Sequence, residues 1–212
     1  MAQAAPDGYL AVPKSGKGPG VLVLHPWWGL NATIKGVADR LAQEGYVAFA
    51  PDLYHGKIAT TIAEAETLSS TLVPEKARAD VSQGEAWLLE HCNGKSIGVI
   101  GFSLGGSYAF DLSARDPEHV RAVVIFYGSG EADFSKAKAT YLGHYAETDP
   151  YEGEWVGVTD SLLTKAGRKH TFHTYKGTGH WFFEPDRTDA YNKEAADLAW
   201  KRTLEFLKHE LR

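Results

Sequence analysis

Ser103 stands in Gly101-Phe102-Ser103-Leu104-Gly105-Gly106, and a serine with glycines two places before and two after it has the spacing of a nucleophile set on a tight corner. A serine hydroxyl attacks well only when a base takes its proton, and histidine is the side chain best matched to that task near neutral pH. Among nine histidines, His180 stands out because it follows the late strand read over His170–Tyr175, in the glycine-containing loop Lys176-Gly177-Thr178-Gly179-His180-Trp181. An imidazole base needs an acceptor that fixes its tautomer and steadies the imidazolium. Asp149, in the turn-forming stretch Thr148-Asp149-Pro150, is the expected acceptor, with Glu147 and Asp133 as alternatives. His25 is the rival base, but its place directly before Pro26 suits the wall of an oxyanion loop better. His170 and His173 are read as structural or surface residues, and His55, His91, His119, His144 and His209, which carry no supporting pattern, as solvated.

Acyl transfer also needs donors for the oxyanion. Leu104, the residue after the serine, offers one backbone N–H at a helix start. In His25-Pro26-Trp27-Trp28 the proline has no N–H, so Trp27 is the natural second donor. His25, Trp28, Tyr127, Trp181 and Phe182 fall on strand-end loops and are expected to line an apolar substrate pocket.

These residues must be held by strands and helices, and the pattern supplies both. Ile97-Gly98-Val99-Ile100 reads as a strand buried on both faces, and Tyr108, Ala109, Phe110, Leu112 and Ala114 as a helix that stops before Pro117. Val21–Leu24, Val47–Ala50, Ala122–Phe126, Ala139–Tyr145 and His170–Tyr175 read as further strands, and Gly8–Val12 as an edge strand. Helices are expected with Ile34, Val37, Ala38 and Leu41 facing inward, around 62–72, from Pro74 to about Asn93, near 156–166, and from about Thr188 to Leu211. In the last, Ala195, Ala196, Leu198, Ala199, Leu204 and Leu207 are expected to face the core. Strands alternating with helices at this spacing predict a three-layer, doubly wound, mostly parallel sheet, with the working site beyond the carboxyl ends of the strands.

Composition narrows the partners. A chain of 212 residues suits one domain spanning 1–212, and its net charge of −5 carries no electrostatic footprint for nucleic acid. No run approaches the ~18 apolar residues of a membrane span, and the first eight residues lack a signal pattern, so a cytoplasmic protein is expected. Cys92 is the single cysteine, which leaves no internal disulfide. No histidine spacing predicts a metal site. Neither metal nor cofactor is expected, and the oligomeric state cannot be read.

Taken together, Leu24-His25-Pro26-Trp27-Trp28-Gly29, Ala50-Pro51-Asp52-Leu53-Tyr54, the elbow around Ser103, Asp149 and Gly179-His180 resemble the dienelactone hydrolase family of α/β-hydrolases across nearly the whole chain. The resemblance implies an α/β-hydrolase without a large lid domain that opens a small ester or lactone without metal or cofactor. Three positions depart from the family pattern: Ser103 where its type enzymes look to have a cysteine, Pro26 for a glutamate of the first loop, and Glu184 for an arginine one turn after the histidine. Arg78 and Arg187 could still provide a cation for a substrate carboxylate, but the sequence does not place either in the pocket. The other readings are a non-catalytic binding domain of the same fold, or an acyltransferase using the same acyl-enzyme. A haloalkane dehalogenase is disfavoured, since its chemistry wants a carboxylate at the elbow.

Overall fold

The structure, a computed structural model, describes residues 5–211. In chain order its elements are β1 (Gly8–Ala11), β2 (Pro19–Leu24), α1 (Ala32–Gln43), β3 (Val47–Pro51), α2 (Ile62–Thr71), α3 (Pro74–His91), β4 (Asn93–Phe102), α4 (Leu104–Arg115), β5 (Val120–Phe126), β6 (Thr140–Thr148), α5 (Trp155–Lys165), β7 (His170–Gly179) and α6 (Lys193–Glu210). The strands form a seven-stranded sheet in the order β1-β3-β2-β4-β5-β6-β7, parallel in its β2–β3, β5–β6 and β6–β7 pairs, with β1 antiparallel on the edge. Two compact units divide the chain, one ending at Ile97 and one beginning at Gly98.

In the first unit the local signals act where they stand. Asn31 caps α1 by accepting the Ile34 N–H at 3.1 Å, and Ile34, Val37, Ala38 and Leu41 are its buried stripe. Pro74 opens α3 at a position where its missing N–H costs no hydrogen bond. That helix lies against Phe49 of β3 through Gly84, where an added Cβ would come within 3.1 Å of the phenyl ring, and Trp87 packs on the same ring at 5.2 Å.

In the second unit β6 shows how both faces of the sheet are covered. Successive strand side chains point to opposite faces, so Tyr141 and His144 must look opposite ways. Tyr141 meets α4, stacking on Phe110 at 5.8 Å and bonding the Ser113 hydroxyl at 2.9 Å. His144 meets α6, where its Nε2 pairs with the Thr203 hydroxyl at 3.0 Å, while Nδ1 pairs with the Tyr175 hydroxyl at 2.8 Å. Helix, sheet and helix are therefore stacked here in three layers.

Two expectations need correcting. His144 is not solvated: it is wholly buried, because the even positions of β6 face α6 and its two ring nitrogens find hydroxyl partners there. Leu198 does not face inward but is 42% exposed. The buried stripe of α6 runs through Ala196, Ala199, Trp200, Thr203 and Leu207, and Leu198 lies about 200° around the helix from Ala196. The helix also starts at Lys193, five residues later than periodicity predicts, where Asn192 caps it by accepting the Ala195 N–H.

Burial, with lesser contributions from His173 and Arg202, holds the His144 imidazole well below its ordinary value. The unfolded chain takes up this proton below about pH 6.5 and the folded chain refuses it, so stability is lost as pH falls from there. Thermal melts at pH 7, 6 and 5 will show a steeper acid loss for the wild type than for His144→Gln, the difference having a limiting slope of about 1.4 kcal/mol per pH unit.

Candidate active site

Ser103 occupies the corner between β4 and α4 with φ 47° and ψ −113°, a backbone conformation that a non-glycine residue adopts only when its surroundings compel it. Two backbone bonds do so: the Ser103 N–H donates to the Phe126 carbonyl at 2.9 Å, and its own carbonyl accepts the Gly106 N–H at 2.7 Å. The glycines are steric necessities. A Cβ at Gly101 would stand 2.5 Å from the Gly105 carbonyl oxygen, and one at Gly128 would stand 2.7 Å from the Ser103 carbonyl oxygen. Gly128 carries no signal in the motif and is legible only once β5 is seen to end beside the corner.

The register of β6 and β7 brings the other two residues together. Residue partners run evenly from Tyr141↔His170 to Ala146↔Tyr175, then shift so that Thr148 faces Gly179. Asp149 and His180, one step further along each strand, are thereby neighbours. The slack is taken up in 176–178, where Gly177 sits at φ 68° and donates its N–H to the Glu147 carboxylate at 2.8 Å.

His180 Nδ1 then lies 2.7 Å from Asp149 Oδ2, and Nε2 lies 3.0 Å from Ser103 Oγ. The other Asp149 oxygen accepts the backbone N–H groups of Tyr151 and Glu152 at 2.9 and 3.1 Å. Burial opposes charge on Asp149, but the bond and charge of His180 together with these two amides outweigh it and hold the carboxyl below its ordinary value. An ionised Asp149 orients the ring with its proton on Nδ1, leaving Nε2 to accept from the serine. The Leu104 N–H opens α4 next to Ser103, where helix dipole and free amides favour negative charge.

The alternatives have other partners. His25 is wholly buried, with Nδ1 donating to the Pro26 carbonyl at 2.7 Å and Nε2 accepting the Leu53 N–H at 3.1 Å, so both ring nitrogens are spent within the first unit. Glu147 accepts from Gly177 and Asp133 from Ser135. Also in the first unit, the Trp28 carbonyl accepts the Ala59 N–H at 2.9 Å, and the Trp27 and Trp28 rings meet edge to face at 5.5 Å.

Around His180 the aromatics differ in exposure. Trp181, at φ 67°, meets the imidazole edge to face at 5.1 Å. Tyr127 is wholly buried and packs on the imidazole at 4.9 Å, while Phe182 is wholly buried between Tyr127 and Tyr175. Tyr151, which motif reading missed, is exposed and packs on both His180 and Trp181 at 5.0 and 5.1 Å. Its adjacency to the Asp149-Pro150 turn is the signal that was there to use. Among the described residues no group of three or more histidine, cysteine or acidic side chains is placed to hold a metal ion, and no helix is long and apolar enough to cross a membrane.

Residues 7–211 match the sequence model of the "Dienelactone hydrolase family". The chain is 34% identical to "Protein usf" of Aquifex pyrophilus, over 96% of this chain and 93% of that protein. It is 33% identical to the "Putative carboxymethylenebutenolidase" of Aquifex aeolicus, over 97% and 94%. Among solved structures, the "Putative Dienelactone Hydrolase" of Klebsiella pneumoniae superposes with a TM-score of 0.84 at 26% identity, covering 95% of this chain and 92% of that one.

The crowding at the corner sets a measurable outcome. Gly128→Ala, by forcing a methyl against the Ser103 carbonyl, will lower the melting temperature by roughly 3 to 9 °C. It will also slow modification of Ser103 by a fluorophosphonate at least ~10-fold, read by intact mass against time.

Proposed function

Because the chain belongs to the dienelactone hydrolase family of α/β-hydrolases, we propose that it is a serine hydrolase that opens small esters or lactones through an acyl-enzyme on Ser103. The observation that carries this reading is the hydrogen-bonded line from Ser103 Oγ through His180 to Asp149. His180 takes the hydroxyl proton at Nε2 while the oxygen forms its bond to the substrate carbonyl carbon, and the tetrahedral oxyanion is met by the Leu104 N–H. Collapse breaks the bond to the leaving alkoxide, which takes the proton back from His180. A water, deprotonated by the same imidazole, then attacks the acyl carbon; the bond from that carbon to Ser103 Oγ breaks, Oγ takes the proton back from His180, and the acid is released. Asp149 stays ionised throughout and balances the imidazolium that forms twice per turnover.

The substrate we assign is uncharged. Where the family resemblance leads one to expect an arginine for a substrate carboxylate, this chain has Glu184, and Arg187 nearby in sequence is ion-paired with Asp186 at 3.0 Å.

A fluorophosphonate will label Ser103, and Ser103→Ala will lose both labelling and turnover of short p-nitrophenyl esters, by at least about a thousandfold in kcat. Asp149→Asn, which keeps the shape but reverses the tautomer preference, will lower kcat by about 10⁴ with KM changed little. Unlabelled wild-type protein with no turnover on an ester and lactone panel overturns the proposal. Products formed only with an added alcohol or amine acceptor would assign the acyl-enzyme to transfer instead.

A further inference from the structure

Glu184 lies four residues after His180, in a turn closed by Phe182 N–H to the Gly179 carbonyl at 3.2 Å and Glu184 N–H to the Trp181 carbonyl at 2.9 Å. Its side chain is wholly buried. Oε1 accepts the Tyr127 hydroxyl at 2.8 Å, and Oε2 has no hydrogen-bond partner among the described residues. Tyr127 is wholly buried in turn, at the end of β5, with φ 39° and its N–H on the His144 carbonyl at 2.8 Å. Its ring lies 4.9 Å from the imidazole of His180, tilted by 55°. The base of the site is thus gripped on its edge by Asp149 and on one face by a phenol ring whose far end is tied to a carboxyl group.

We infer that Tyr127 and Glu184 position His180: the Tyr127 ring supports one face of the imidazole, and Glu184 fixes that ring through its hydroxyl. The inference rests on the hydrolase reading above and adds to it two residues that act by holding the base.

The protonation of Glu184 gives the arrangement its signature. Burial, aided by Asp186 and opposed by the Tyr127 bond and Arg187, pushes the Glu184 carboxyl up to about 8. At neutral pH it is therefore an uncharged acid. Charge that arrives above pH 8 falls on a group with one oxygen unpartnered and with Asp186 nearby, while Arg187 is engaged by Asp186. The groups facing His180 itself are Asp149, Glu152, Tyr127 and Tyr151.

A carboxyl so placed also destabilises the fold. Its folded value lies above its unfolded one, so between about pH 4.5 and 8 the folded chain retains a proton that the unfolded chain releases, and stability falls as pH rises through that window. Glutamine at this position keeps an acceptor for Tyr127 without that penalty. A residue that lowers stability while holding the ring packed on the imidazole fits a functional role better than a packing role.

The test compares wild type, Glu184→Gln, Tyr127→Phe and the double variant with p-nitrophenyl acetate from pH 6 to 9.5, with fluorophosphonate labelling of Ser103 as a separate check. We expect wild-type kcat to fall at least about fivefold above pH 8, and Glu184→Gln to lose this alkaline fall while keeping neutral kcat within about twofold. Tyr127→Phe will lower kcat about 5- to 10-fold at pH 7.5 with KM nearly unchanged, and the double variant will be no worse than Tyr127→Phe alone. The melting temperature of Glu184→Gln will exceed that of wild type at pH 9, by a margin that shrinks toward pH 5. The His180 imidazole proton resonance, which needs no turnover, will show an inflection near pH 8 in wild type that Glu184→Gln lacks. An unaltered alkaline limb and resonance in Glu184→Gln, with full kcat in Tyr127→Phe, overturns the inference while labelled Ser103 leaves the hydrolase reading standing. Absent labelling and absent turnover overturn that reading instead, and the resonance then decides the positioning role by itself.

Discussion

The positive-φ corner at Ser103 is the constraint on which the rest of the site depends. A left-handed serine costs on the order of 1 to 3 kcal/mol of backbone strain and persists only where neighbours over-determine it. Here they do. The corner is pinned by one bond to the end of β5 and one into the first turn of α4, and it is walled by Gly101 and Gly128, where any side chain would strike backbone. The strain lifts the hydroxyl off the strand ends and puts the start of α4 beside it, so the proposed nucleophile and the proposed oxyanion donor arise from the same turn.

Electrostatics then separate two carboxyl groups, one partly and one wholly buried, that differ little in chemistry. Asp149 receives two backbone N–H groups and an imidazole, and it stays ionised despite its burial. Glu184 receives a single phenol hydrogen and is pushed toward its neutral form. One can stabilise an imidazolium and the other cannot, although both connect to the same ring, Asp149 directly and Glu184 through Tyr127. Environments that drive the ionisation of paired groups apart are how one site assigns different roles to like residues.

In the proposed reaction, the use of oxygen rather than sulfur fits this division. A serine hydroxyl has no accessible ionised resting form near neutral pH, so its reactivity depends on a base held within hydrogen-bond reach during attack. Precise seating of His180 therefore matters here: the ring is held through Asp149 at its edge, Tyr127 on one face, and Tyr151 and Trp181 around it. The loop 176–178 bears the cost of that seating by absorbing the register shift between β6 and β7.

What the amino-acid order determined by itself was whatever rests on local physics. Apolar runs such as Val21–Leu24 and Ala122–Phe126 are strands because nothing else buries such segments so economically, and a capping side chain such as Asn31 or a first-turn proline such as Pro74 marks a helix start wherever the helix goes. Ser103, Asp149 and His180 were legible because each sits at a strand end with turn-forming neighbours, and doubly wound sheets gather strand ends at one edge. Tertiary structure alone decided the rest. Periodicity did not reveal that His144 is sealed between a strand and α6 or that Leu198 falls off the buried stripe, since both depend on which face a partner covers. Nor did any motif mark Gly128 or the Tyr127–Glu184 bond, because each takes its meaning from an atom remote in the chain. Local rules set what a segment becomes; only packing sets what it touches.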